Sequence, residues 1–106
     1  MVHHITLMEA QTDVTGEILE NIMVETRIRL LKIPEISNLR VGKRIDVKGN
    51  PYTLFYSFDV ENMDKLRIVH DNAVFAQYQT KALSKPIMRQ THFNYEMEPG
   101  KDIRYS

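Results

Sequence analysis

Apolar and polar positions alternate, imperfectly, over residues 2–9. Ile5 and Leu7 fall on one parity and His4, Thr6 and Met8 on the other. That is the period of a strand. Gln11-Thr12-Asp13 is turn chemistry, and Asp13 or Thr15 is the candidate N-cap of a helix. From about residue 15 to residue 32 the spacing turns helical. Ile18, Ile22 and Leu30 recur, with Leu19, Met23 and Leu31 beside them. Glu25 and Arg29 form an i,i+4 pair in the favourable order. Pro34 ends the helix, because a proline pushes the residue before it to extended geometry.

Residues 36–47 predict a second strand, with Leu39, Val41, Ile45 and Val47 on its apolar parity. Lys48-Gly49-Asn50-Pro51 is a turn. Residues 52–58 predict a third strand: Tyr52, Leu54, Tyr56 and Phe58 line one face and Phe55 the other. Asn62 can cap a short helix carrying Met63, Leu66 and Val69. A second helical stretch over residues 71–84 carries Ala73, Val74, Tyr78 and Leu83. Residues 87–97 predict the last strand, with Phe93, Tyr95 and Met97 on one face and His92 on the other.

The order β-α-β-β-α-β is the ferredoxin-like arrangement, an α+β fold. It implies a four-stranded antiparallel sheet with both helical regions on one face. The domain spans residues 1–98, and residues 99–106 read as a C-terminal tail. The third strand is apolar on both parities and the first nearly so. A homodimer closing two sheets face to face is the simplest way to bury the uncovered side. The competing account makes Phe55 a single exposed hydrophobe.

Composition narrows the function. The 106 residues suit one domain, and 42% hydrophobic with 26% charged is a globular balance. Fourteen basic and fourteen acidic side chains cancel, which argues against a nucleic-acid partner or a polybasic membrane anchor. The absence of cysteine excludes disulfides, thiolate catalysis and Cys-based zinc sites. No apolar run has the length of a membrane span and no signal peptide is visible, so a cytoplasmic location is expected. The first 26 residues hold five acids and no Lys or Arg, and residues 27–48 hold seven bases. That asymmetry fits an anion site on the second strand, or a solvated helix face with charge complementarity at a dimer edge.

The chain resembles the stress-responsive α/β-barrel (Dabb) family of the dimeric α+β-barrel superfamily. The matching pieces are Val2-His3-His4-Ile5-Thr6-Leu7, Ile33-Pro34-Glu35-Ile36 and Leu39-Arg40-Val41-Gly42-Lys43. Tyr52-Thr53-Leu54, Phe58-Asp59-Val60-Glu61-Asn62, Val69-His70 with Phe75, and Phe93-Asn94-Tyr95-Glu96 complete the set. The resemblance implies a homodimer whose two sheets build a barrel. It does not imply one function, since members include plant stress proteins and a polyketide cyclase. The family often shows His-Pro-x-His in its second helical region. Here the stretch is His70-Asp71-Asn72-Ala73, so a base at the second position does not carry over. Arg67 stands where a cyclase-type member offers an aromatic.

His4, His92, Tyr56 and Gln90 form the polar set of interest. Strands 4 and 1 are neighbours in this fold, so His4 and His92 can pair across strands, with Cβ atoms about 5 Å apart when directly opposite. The resemblance places His4, Tyr56 and His92 on the helix-covered face, where family members keep a pocket; the pattern alone would make that face the more apolar one. A His pair beside a Tyr suits acid–base chemistry near neutral pH, and His4, His92 and Tyr56 are the candidate catalytic residues. The bland reading is a hydrogen-bonded structural His pair, or two solvated histidines at a sheet edge. Met8, Leu54, Met63, His70, Phe75 and Tyr78 are the candidate ligand-binding residues, although a Met/aromatic stripe at helical spacing is ordinary core material. His70 can instead serve the C-terminus of its helix. His3, His4, His70 and His92 lack the spacing of a zinc motif, so no metal is expected. No cofactor is expected either; haem on His70 has only the superfamily to support it. The expectation is a small, partly apolar ligand handled by cofactor-independent cyclase- or lyase-like chemistry. The alternative is a non-catalytic stress-response or assembly protein.

Overall fold

A computed structural model describes residues 1–98. The strands are β1 (Val2–Ala10), β2 (Ser37–Lys43), β3 (Leu54–Val60) and β4 (Ile87–Glu96). The helices are α1 (Gly16–Leu30), α2 (Met63–Asp71) and α3 (Ala73–Gln77), the last running into a π-helical turn, Tyr78–Leu83. The sheet order is β2-β3-β1-β4, every neighbouring pair antiparallel. This is the predicted ferredoxin-like fold. The tail predicted over residues 99–106 lies outside the described residues. No helix among the described residues is long and apolar enough to cross a membrane.

Each helix starts where a side chain can take an unsatisfied N–H. Thr15 accepts from Ile18, Asn62 from Lys65 and Asn72 from Val74. Thr15, rather than Asp13, is therefore the cap of α1. Asn72 adopts extended backbone (φ −70°, ψ 134°), which separates α2 from α3. In the π-helical turn the Thr80 hydroxyl donates to the Ala76 carbonyl and Ser84 to the Thr80 carbonyl, covering acceptors in a poorly bonded helix.

Three expectations need correction. The second strand ends at Lys43, not residue 47, so Ile45 (93% exposed) and Val47 (65%) face solvent. Pro51 has no N–H to offer and cannot extend the ladder with β3. The third strand begins at Leu54, leaving Tyr52 ahead of it. Ile18 and Leu31 lie exposed rather than on the buried stripe of α1, where Thr26 is buried instead.

Val2, His4, Thr6 and Met8 of β1 face the helices, as do Leu54, Tyr56, Phe58 and Val60 of β3. Ile22, Met23 and Leu30 of α1 are buried with them, and so are Leu66, Val69, Phe75, Tyr78 and Leu83. The more polar parity of β1 is thus the covered one. Ile5, Leu7 and Phe55 lie half-buried on the opposite face, beside exposed Phe93 and Tyr95. There Gly42 lies opposite Phe55, and a Cβ on it would come within 2.5 Å of the ring. Glycine is what lets the ring lie across β2.

Candidate acid–base site

Three rows of side chains cross the helix-covered face. Phe58, His4 and Asn94 form one row, Tyr56, Thr6 and His92 the next, and Leu54, Met8 and Gln90 the third. His4 and His92 are therefore diagonal rather than directly opposite. Their rings still stack, with centroids 5.7 Å apart and planes inclined by 17°.

Thr6 joins them. Its Oγ1 stands 3.0 Å from His4 Nε2 and 2.8 Å from His92 Nδ1. The far nitrogen of His4, Nδ1, lies 2.6 Å from Asn94 Oδ1. His4 is 1% exposed, whereas His92 is exposed at the open end of the chain. Burial holds the His4 imidazole below the ordinary 6.5. The Asn94 bond opposes that shift, and His92, His70 and His3 reinforce it. Burial and then His70 lower His92. Both imidazoles are therefore neutral at pH 7, the state in which one nitrogen can take a proton.

Tyr56 lies in the same row as Thr6, fully buried, with its ring 6.3 Å from His4. Burial pushes its phenol up to about 12, with the neighbouring Thr6 hydroxyl opposing. The phenol oxygen still finds no partner at hydrogen-bonding geometry among the described residues, and neither does Gln90 Oε1. Gln90 Nε2 donates to Gln79 Oε1 at 2.8 Å. Buried polar atoms are almost always partnered, so two such atoms on one face mark a place where water or a ligand belongs.

The remaining candidates divide. Met8, Leu54, Phe75 and Tyr78 are buried in the hydrophobic core. Tyr78 is further tied by its hydroxyl to Thr26 at 2.6 Å. Burial raises its phenol, with Thr26 opposing. His70, in the last turn of α2, meets His4 with the ring planes nearly perpendicular (centroids 5.8 Å apart) and likewise meets Phe75 (5.2 Å). Met63 is 47% exposed and lines a surface groove of about 400 Å³ with Asn94, Tyr95 and Glu96. That groove borders the histidine site only through Asn94, the partner of His4. A larger groove, about 430 Å³, runs between α1 and the π-helical turn, past Ile18, Ile22, Glu25, Lys81 and Lys85. His3 is on the other face, 2.7 Å from Asp59. Among the described residues no group of three His, Asp or Glu side chains converges as metal ligands.

Both histidines stood out in the sequence, whereas Thr6 and Asn94, the residues that connect them, did not. The available signal was parity: Thr6 follows His4 by two, and Asn94 follows His92 by two.

No family model and no curated protein matches this chain. Solved structures do. A dimeric ferredoxin-like protein of unknown function from Thermobifida fusca superposes with a TM-score of 0.80 at 17% identity, covering 91% of this chain and 90% of that one. A dabb family protein with a ferredoxin-like fold from Mesorhizobium loti gives 0.80 at 10% identity, with 92% and 96% covered. The hydroxynitrile lyase from Passiflora edulis gives 0.78 at 12% identity, with 92% and 94% covered. At these identities the likeness is one of fold.

Proposed function

We propose that this chain is a Dabb-type homodimer that binds a small, partly apolar molecule between sheet and helices. Its chemistry is cofactor-independent proton transfer of a cyclase- or lyase-like kind, centred on His4, His92 and Tyr56. The observation that carries this reading is the pair of buried atoms, Tyr56 Oη in the row of His92 and Gln90 Oε1 in the next, that find no hydrogen-bond partner among the described residues. A ligand with a carbonyl or hydroxyl group would satisfy them, and aromatic walls would take its apolar part.

Dimerisation is supported by the uncovered face. Ile5 lies opposite Phe93, and Leu7 opposite Phe55, in an apolar patch that a second sheet would cover. The Thermobifida fusca protein of the same fold is dimeric. A second reading, an assembly protein without chemistry, is favoured by the burial of Met8, Leu54, Phe75 and Tyr78 within the hydrophobic core.

The test titrates histidine-labelled protein with aryl ketones, aryl 1,3-diketones and aryl hydroxynitriles, reading imidazole and tyrosine ring signals by NMR. Binding that moves His92, His4 and Tyr56, and that Tyr56→Phe weakens several-fold, supports the site. Signals that stay still across all three classes in an intact dimer favour the assembly reading.

A further inference from the structure

Four side chains form one chain of hydrogen bonds, Asn94–His4–Thr6–His92, and the chain has a direction. An amide oxygen can only accept, so the proton between Asn94 Oδ1 and His4 lies on His4 Nδ1. A neutral imidazole has one N–H, so His4 Nε2 presents a lone pair. Thr6 has one hydroxyl proton and stands 3.0 Å from that nitrogen, so it donates there. Having spent its proton, Thr6 can only accept from His92 Nδ1, 2.8 Å away. His92 Nε2 is left with the free lone pair at the exposed end.

We propose that Asn94, acting through His4 and Thr6, holds His92 as the Nδ1–H tautomer and so makes His92 Nε2 the proton-accepting atom. Asn94 is a positioning residue in this scheme, three links from the base. In water a histidine side chain favours the opposite tautomer, with the proton on Nε2, so the chain inverts the ordinary preference. It also separates the roles of the two histidines. When Nε2 of His92 takes a proton from a bound acid, the conjugate base stays on the ligand and every link of the chain survives, because Nδ1–H still donates to Thr6. Protonating His4 instead would place a second N–H on the Thr6 oxygen and force the Thr6 proton to turn away from His4. The base function rests on the proposed ligand site; the tautomer does not.

The experiment reads histidine tautomers in the free, full-length protein by long-range ¹H–¹⁵N correlation at about pH 8, where both imidazoles are neutral. Asn94→Asp fixes the direction, since a carboxylate can only accept. Thr6→Val cuts the chain, and Thr6→Ser keeps it. The expected result is a pyridine-like Nε2 on His92 in the native protein, in Asn94→Asp and in Thr6→Ser, shifting to the Nε2–H form in Thr6→Val. A protonated Nε2 on His92 in the native protein, or opposite tautomers in native and Asn94→Asp protein, overturns the proposal. If Thr6→Val does not fold, native and Asn94→Asp protein decide it. A correct tautomer without ligand binding would count against the proposed function alone, and ligand binding with the wrong tautomer against this inference alone.

Discussion

The hydroxyls of Tyr78 and Thr26 meet at 2.6 Å inside the protein, between the π-helical turn and α1. Thr26 donates to the Ile22 carbonyl at 2.7 Å, so it accepts from Tyr78. The two ends of this bond are therefore unequal. Thr26→Val strands a buried phenol and should cost about 1–3 kcal/mol, whereas Tyr78→Phe leaves Thr26 bonded to Ile22 and should cost about 1 kcal/mol. Urea denaturation of both variants measures this. Equal costs, or a larger cost for Tyr78→Phe, would show that the phenol has another partner.

Gly42→Ala should disturb the uncovered face more than the core. The added carbon meets the Phe55 ring at 2.5 Å, so the ring must swing off β2. Overpacking of this kind costs about 1–3 kcal/mol, and Phe55→Leu in the same chain should recover part of it. Denaturation midpoints of the single and double variants check this. A neutral Gly42→Ala would mean the ring is free to move.

Phe93→Glu should convert a dimer into a monomer. Phe93 lies opposite Ile5 and is exposed on the uncovered face of this 12.5 kDa chain. A carboxylate buried there without a partner opposes association. Sedimentation at micromolar concentration should give twice the chain mass for the native protein and the single chain mass for the variant. A native monomer would remove the barrel.

Stability should fall on acidification. His4 and His92 are both lowered from 6.5 in the folded protein. The unfolded chain therefore binds more protons below that pH. The stabilisation is complete above the ordinary histidine range and is lost as pH falls through the lower folded values. The urea midpoint should drop between about pH 8 and about pH 5, and His92→Gln should flatten part of the slope. A midpoint that rises on acidification would contradict the burial of His4.

Most of the fold was legible because periodicity reports burial. Strands β1 and β3 and the helix carrying Glu25 and Arg29 announced themselves in this way, and the caps at Asn62 and Thr15 are local chemistry. The end of β2 was not legible. Ile45 and Val47 continue the right parity, but Pro51 prevents β3 from pairing with them. Within the site, the two histidines and Tyr56 stood out by residue type. Thr6 and Asn94 did not, because a threonine or asparagine in a strand acquires its meaning from register. Only the pairing Thr6–His92 and His4–Asn94 turns four scattered residues into one hydrogen-bonded chain. Nothing in the sequence shows that Tyr56 and Gln90 each keep a buried atom without a partner among the described residues, since that depends on how the helical segments pack over the sheet.

Whether the helix-covered face holds a ligand site at the histidines is decided by a crystal structure of the purified protein with its ordered solvent. Bound water or ligand is expected within hydrogen-bonding distance of both Tyr56 Oη and Gln90 Oε1, reaching toward His92 Nε2. A dry interior in which both atoms bond to protein groups would refute the site.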